Sequence, residues 1–280
     1  MPSNSPRLWV VATPLGNPGD LSPRAREVLQ SVDVILAEDT RRAGLLCQRC
    51  GLVARGFRSL HEHNEEQRCA GLVRQLREGL TAALISDAGT PLMADPGYHL
   101  VRACRAAGVT VSVVPGPCAP IAALMGAGIA PHPFAFLGFP PRDATAQERL
   151  FAPYATLPLT LVFLERKDRV AATLQVAHRL LGPREVCLAR ELTKEHEEFI
   201  LGRLEEADAL PELLGEVTVV IGPPEGQART PEDAVLALIA SESRKGGKPR
   251  EVARRVQAHT TGWTGRELYL LAAGHPADKA

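Results

Sequence analysis

The chain has 280 residues, with 32 basic and 32 acidic side chains, 45% hydrophobic and 23% charged residues. At about 150 residues per domain this length predicts roughly two domains, and the composition excludes a disordered or low-complexity chain. With only 4% aromatics, a surface dominated by base stacking is also excluded.

The zero net charge hides an asymmetry. Residues 1–227 carry a net −3 and residues 228–280 a net +3, and the stretch 241–255 holds Arg244, Lys245, Lys248, Arg250, Arg254 and Arg255 against Glu242 and Glu251. A basic tail on a mildly acidic body points to a polyanionic partner, with a solvated helix face as the alternative. No apolar run reaches the roughly 18 residues of a transmembrane helix. The N-terminal Met1-Pro2-Ser3-Asn4-Ser5-Pro6-Arg7 lacks a signal-peptide layout. The expectation is therefore a cytoplasmic protein without membrane association. The six cysteines (47, 50, 69, 104, 118 and 187) fit reduced cytosolic thiols, and Cys47-x-x-Cys50 has no second pair to complete a zinc site.

In chain order, the apolar runs Leu8–Ala12, Val32–Ala37, Ala82–Ser86 and Val109–Val114 read as buried parallel strands. Ser22-Pro23 caps a helix to about Gln30. Asn64, with Gln67 three residues on, reads as a capping box opening a helix to about Glu78. Asp95-Pro96 opens a third helix that stops at Gly108. This alternation predicts an α/β domain over residues 1–116, closed by Pro115-Gly116-Pro117.

A second α/β domain is expected over 117–226. Its strands are Phe134–Leu137, Leu159–Leu164, Glu185–Ala189, Glu197–Leu201 and Val217–Ile221, and its helices Ala144–Ala152, Arg169–Leu181 and Leu204–Leu214. Two successive strands around 185–201 without a helix between them predict a mixed sheet containing a hairpin. After Pro223-Pro224-Glu225-Gly226, residues 227–280 read as a helical tail. An amphipathic helix at 231–242 precedes two short helices, Pro249–His259 and Thr264–Ala273, in a helix-turn-helix-like arrangement.

In a parallel α/β sheet, ligands bind beyond the carboxyl ends of the strands, so the loops after the strands carry the chemistry. Thr13-Pro14-Leu15-Gly16-Asn17 allows close backbone approach but is neither a dinucleotide fingerprint nor a Walker loop. Glu38-Asp39-Thr40-Arg41 packs opposite charges at a strand end, with Asp39 as a helix cap in the plain structural reading. His61-Glu62-His63-Asn64 puts two histidines on one side of an extended segment. No third ligand is spaced with them, so no metal is expected. The densest signal is Ser86-Asp87-Ala88-Gly89-Thr90-Pro91, followed by Asp95-Pro96-Gly97, a small-residue loop with carboxylates suited to wrapping an amino-acid or nucleoside group. Pro115-Gly116-Pro117-Cys118-Ala119 is a second such loop. No nucleophile elbow appears.

Taken with Glu191-Leu192-Thr193-Lys194, these seven motifs in this order resemble the ribosomal RNA small-subunit methyltransferase I family of the tetrapyrrole methylase superfamily, over about residues 7–222. The resemblance implies two α/β domains of tetrapyrrole-methylase type with a small helical C-terminal unit. It also implies S-adenosylmethionine in the cleft between the domains, a homodimer, and 2′-O-methylation of a cytidine in the decoding region of small-subunit ribosomal RNA, in the free RNA or a 30S-type subunit. By position it carries donor contacts to Leu15, Ser86, Asp87, Ala88, Pro91, Cys118, Ala119, Glu165 and Leu192. Where the family reads Tyr-Glu-Ser-x-His-Arg, this chain has Leu164-Glu165-Arg166-Lys167-Asp168-Arg169, which keeps Glu165 and Arg169 but not the aromatic or the histidine. Near the acceptor the candidates are His63 and Lys194, with Asp39 behind them, each with structural hydrogen bonding as its alternative. Two rival readings are a C-methylase acting on a corrin-type macrocycle, disfavoured by the basic tail, and a non-catalytic ribosome-assembly protein, disfavoured by the intact donor loops.

Overall fold

The computed structural model describes residues 5, 7–209, 215–224 and 230–274, without the side chains of 63, 208 and 209. The chain divides into two compact units, residues 1–223 and 224–280.

The first unit opens with five strands, β1 (Leu8–Val11), β2 (Val34–Ala37), β3 (Phe57–Ser59), β4 (Ala82–Leu84) and β5 (Val111–Val114). They form one parallel sheet in the order β3-β2-β4-β1-β5. The helices between them are α1 (Pro23–Ser31), α2 (Thr40–Arg49), α3 (Glu62–Glu78) and α4 (Tyr98–Ala106). Alternating side chains divide between the two faces, as the strand period of two requires. Val11, Ile35, Ala37, Ala83 and Val114 pack with Val28, Leu29 and Ala43 of α1 and α2. Leu8, Val34, Leu36, Leu84 and Val111 pack with Leu72, Leu76, Leu100 and Cys104 of α3 and α4. The inner strands β2 and β4 are buried on both sides, which is why they read as continuous apolar runs.

The chain leaves β1 for α1 on one face and β4 for α4 on the other, although β1 and β4 are neighbours. A crevice at the carboxyl ends of such a pair is a switch point, where open α/β sheets hold ligands.

α5 (Ala119–Gly126) leads to the second sheet, built from β6 (Phe134–Phe136), β7 (Thr160–Arg166), β8 (Glu185–Arg190), β9 (Glu198–Arg203) and β10 (Glu216–Ile221). Its order is β6-β7-β10-β8-β9. Only β6 and β7 are parallel, and β8 and β9 form the expected hairpin. One face packs on α6 (Ala144–Phe151) and α7 (Val170–Leu181), through Phe151, Phe163 and Leu174. The other packs on α5, through Val162, Cys187 and Leu192 against Ala123 and Leu124.

Four local expectations are corrected. α3 is capped at His61, and Asn64 is its third residue, accepting from the His61 backbone N–H at 3.0 Å. His61 and His63 therefore straddle a helix start and do not belong to one extended segment. α4 starts at Tyr98 rather than at Asp95-Pro96, because Gly97 at φ +123° and Ala94 at φ +69° turn the chain first. Leu204–Ala209 is 3-10, not α, and the rest of the expected helix, 210–214, lies outside the described residues. β3, α2 and α5 stand in stretches read from sequence only as loops or cap signals.

The second unit contains α8 (Glu232–Arg244), α9 (Pro249–Gln257) and α10 (Gly265–Gly274). Val235, Ile239, Val252, Val256 and Leu268 form its own core. Among the described residues no helix is long and apolar enough to cross a membrane.

Candidate active site

The loop after β1 and the loop after β4 meet at the switch point. Thr13 and Gly89 exchange backbone hydrogen bonds at 2.8 and 3.1 Å, and the buried Thr13 hydroxyl is directed at the carbonyls of Ser86 and Gly89. Ser86 Oγ donates to Ala88 O and Gly89 O at 3.1 and 3.2 Å, so this side chain shapes the loop. Gly89 has φ +77°, a backbone conformation that favours glycine, and a Cβ there would lie 2.9 Å from Leu15 Cδ2, which would have to shift.

Thr90 Oγ1 ties this loop to the next by donating to Pro117 O at 2.9 Å. Cys118 then caps α5, and Ala119 and Leu15 both join the apolar cluster of Ala123, Val162 and Leu192. From the second sheet, Thr193 Oγ1 accepts from Asn17 N at 3.2 Å. The stem of Lys194 lies over Gly16, where any Cβ would collide with it. Leu15, Ser86–Pro91, Cys118, Ala119, Leu192 and Lys194 are thus brought together from both sheets.

Four non-glycine residues of the described chain have positive φ: Leu92 and Ala94 at +69°, Glu191 at +50° and Thr193 at +64°. All four lie in this gathering of loops. Left-handed backbone is unfavourable for such residues and persists where packing over-determines it, commonly at ligand sites.

The polar groups are mostly acidic. Asp87 Oδ2 pairs with Arg42 Nη1 at 2.9 Å, while the buried Oδ1 has no hydrogen-bond partner among the described residues. Burial first, and then the charges of Glu38, Asp87 and Glu216, push the Asp95 carboxyl up to about 6, against a hydrogen bond from Ser86. Beside them is a hollow of about 280 Å³, lined by Leu15, Gly16, Arg42, Leu45, Leu46 and Asp87 among others, near the lower bound for small-molecule sites. Asp39 caps α2, accepting from Arg41 N at 2.8 Å and pairing with the Arg41 guanidinium. Those bonds hold its carboxyl well below the usual carboxylate range. Lys194 Nζ pairs with Glu191 Oε1 at 2.9 Å. His63 lies in the first turn of α3, just past the carboxyl end of β3; its side chain is outside the described residues.

Glu165 does not join this group. It shares a side of β7 with Leu161 and Phe163, facing α6 and α7, whereas Val162 faces α5. Fully buried, it accepts from Thr173 Oγ1 at 2.8 Å and from Arg166 N at 2.9 Å, and pairs with Arg169 at 3.2 Å. Sequence reading overlooked Arg42, Thr90, Asp95 and Thr193. Thr90 and Thr193 lie inside quoted motifs, but their partners are 27 and 176 residues away; Asp95 also feels the distant Glu38 and Glu216, and Arg42 meets Asp87 45 residues on. Among the described residues no group of three His, Cys, Asp or Glu is placed to hold a metal ion. Cys47 and Cys50 are buried free thiols, pushed up by burial.

Comparison with known proteins fits this architecture. Residues 7–208 match the family model described as Tetrapyrrole (Corrin/Porphyrin) Methylases. The Ribosomal RNA small subunit methyltransferase I of Micromonospora olivasterospora is 42% identical over 96% of this chain and 88% of its own. The protein of the same name from Pasteurella multocida is 39% identical over 96% and 97%. Among solved structures, the methyltransferase CobJ superposes with a TM-score of 0.61 at 19% identity, covering 78% of this chain and 95% of its own. A Thermus thermophilus uroporphyrin-III-C-methyltransferase gives 0.56 at 24%, covering 77% and 93%. At those identities the two structures speak for the fold alone.

Proposed function

This chain belongs to the ribosomal RNA small subunit methyltransferase I family within the tetrapyrrole methylases, and we propose that it methylates the ribose 2′-hydroxyl of a cytidine in small-subunit ribosomal RNA, using S-adenosylmethionine. The observation that carries the donor site is the closure of three small-residue loops around the β1/β4 switch point, with a buried, unpartnered Asp87 oxygen inside. The residues fit such a donor. Backbone amides and carbonyls of the Ser86–Pro91 loop suit its amino-acid and ribose groups. The acidic trio Glu38, Asp87 and Asp95 suits its cationic end. Leu15, Ala119 and Leu192 offer an apolar wall. In this reading Glu165 supports the site from behind the sheet, by fixing Arg169 and the end of β7.

When bound, the sulfonium supplies an electrophilic methyl group for in-line displacement. The chain's part is to hold the ribose in line with it, and alignment of this kind removes up to roughly 7–11 kcal/mol of barrier. Taking the hydroxyl proton adds about 10²–10⁴-fold. We assign that proton to His63. Asp39, held anionic by Arg41, is a poor proton acceptor and positions the loop. Lys194, steered by Glu191, holds an RNA oxygen. The 39–49% identical relatives favour ribosomal RNA over a macrocycle as acceptor. The proposal extends to a cytoplasmic homodimer whose donor cleft lies between α/β domains at 1–116 and 117–226, with 227–280 as an appended unit. The test is to map ribose methylation on small-subunit RNA from cells with and without the gene, and to titrate S-adenosylmethionine into the pure protein by calorimetry. A lost 2′-O-methyl cytidine and measurable donor binding are expected. Donor binding with unaltered ribosomal RNA would overturn the acceptor, and absent donor binding would overturn the enzyme.

A further inference from the structure

Of the six cations in 241–255, Arg244 donates back to the Ala240 carbonyl of its own helix at 3.3 Å, and the other five divide into those serving the fold and those free to meet a ligand. Glu242, on the buried side of α8, accepts from Lys245 Nζ and, at 2.8 Å, from Arg255 Nε. Arg255 also donates to the carbonyls of Glu242 and Gly246, both at 2.9 Å. Lys245 and Arg255 therefore latch the turn between α8 and α9, and their charges are spent internally.

Lys248, Arg250 and Arg254 are exposed and form no ion pair among the described residues. Arg250 and Arg254 stand one turn apart on α9, an unfavourable like-charge i, i+4 pair when nothing neutralises it. Across from them α10 contributes Arg266 and Tyr269, also one turn region apart on a single side. These five residues line a groove of about 760 Å³, floored by Ala253, Gln257 and Gly265, with no acidic side chain in its wall among the described residues. Tyr269 is 44% exposed there. Four cations, Arg266 included, with no ion pair among the described residues stand around an exposed aromatic ring; they combine the two elements of a single-strand site, charges that track a backbone and a face on which a base stacks.

We propose that the groove between α9 and α10 is a single-stranded RNA site, with Lys248, Arg250, Arg254 and Arg266 on successive phosphates and Tyr269 under a base. The choice of RNA rests on the function proposed above; the choice of a single strand rests on the ring among the cations. The groove lies within the C-terminal unit and shares no residue with the donor site.

The experiment titrates the full-length chain with a labelled single-stranded RNA of about 12 nucleotides and with a duplex of the same length, at several salt concentrations. The variant Lys248→Gln/Arg250→Gln/Arg254→Gln/Arg266→Gln should bind the single strand at least about tenfold more weakly at low salt. Its slope of log K against log salt should be shallower by about 0.7 per cation. Arg254→Gln alone, which leaves the fold little changed, should flatten the slope by about 0.7. Tyr269→Leu should weaken binding about fivefold or more, with Tyr269→Phe close to wild type, since a stacking ring is kept. S-adenosylmethionine affinity, read by calorimetry, should be the same in every variant. An unaltered slope in Arg254→Gln, equal binding by Tyr269→Leu and Tyr269→Phe, or tighter binding of the duplex than of the single strand would overturn the site. Failure of wild type to bind the donor while it still binds RNA would instead count against the function proposed above.

Discussion

At the scale of single residues, the donor loops make two expectations sharp. Ala88 is exposed on a loop whose shape is held by Ser86, Gly89 and Thr90, so a larger side chain there fills space meant for a ligand without entering the core. Ala88→Leu should leave the melting temperature near wild type and lower S-adenosylmethionine affinity by about tenfold or more, a scale set by roughly 1–3 kcal/mol for overpacking. Calorimetry beside a thermal melt checks it, and unchanged affinity would remove the donor from this loop. Asp95 gives a pH dependence. Its folded value of about 6 stands above the ordinary aspartate value of 3.8, so between these values the native chain binds more protons than the unfolded one. Its contribution to stability is therefore highest below about pH 4, declines as pH rises to about 6, and is then constant. Stability of wild type minus that of Asp95→Asn, from urea unfolding between pH 4 and 7, should fall with pH in that window. A flat difference would mean that neither burial nor the acidic neighbours raise this carboxyl in the folded chain.

At the scale of elements, the strands and their capped helices were legible because burial and capping are written locally. Leu8–Val11 and Val217–Ile221 are apolar runs of strand length, and Ser22 before Pro23 is a cap whose oxygen does accept from Ala25 N. β3 was not legible. Phe57-Arg58-Ser59 is three residues of mixed polarity on a sheet edge, and only pairing with β2 makes it a strand. The start of α4 was hidden for a related reason. Asp95-Pro96 is a sound local start signal, but the backbone there is committed to the strained loop. The site shows the same division: motifs marked the loops, while Arg42 with Asp87 and Thr90 with Pro117 are contacts that only the tertiary fold creates. Arg184 extends the point. It is fully buried without a carboxylate, and donates to the carbonyls of Leu181, Tyr154, Ala155 and Gly222. It thereby joins the end of α7 to the segment after α6 and the end of β10. Arg184→Ala strands several buried acceptors and should destabilise the first unit by about 3 kcal/mol or more. Chemical denaturation measures that, and a change below about 1 kcal/mol would mean the carbonyls find other donors.

At the scale of the whole molecule, the proposed homodimer has a candidate face. α5 leaves Ile121 and Met125 exposed one turn apart, at 43% and 83%, although the helix is apolar nearly all round (Ala119-Pro120-Ile121-Ala122-Ala123-Leu124-Met125-Gly126). Gly126 touches Phe199, which puts the end of this helix on β9, an edge strand whose Leu201 is 67% exposed on the same side as Phe199. An unpaired edge and an apolar helix side next to each other are features that monomers usually cover or charge. If a second copy covers them, folding is linked to association, and the melting temperature rises with protein concentration. Met125→Glu with Leu201→Lys puts charges into that face without touching the donor loops. Sedimentation velocity should then show a dimer for wild type at micromolar concentration and a monomer for the double variant, whose melting temperature should no longer depend on concentration. Because both substituted side chains are already in solvent in the single chain, their replacement leaves its core intact, so a loss of association reads on the interface and not on folding. A wild type that sediments as a monomer throughout, or a double variant that still dimerises, would move the contact away from α5 and β9.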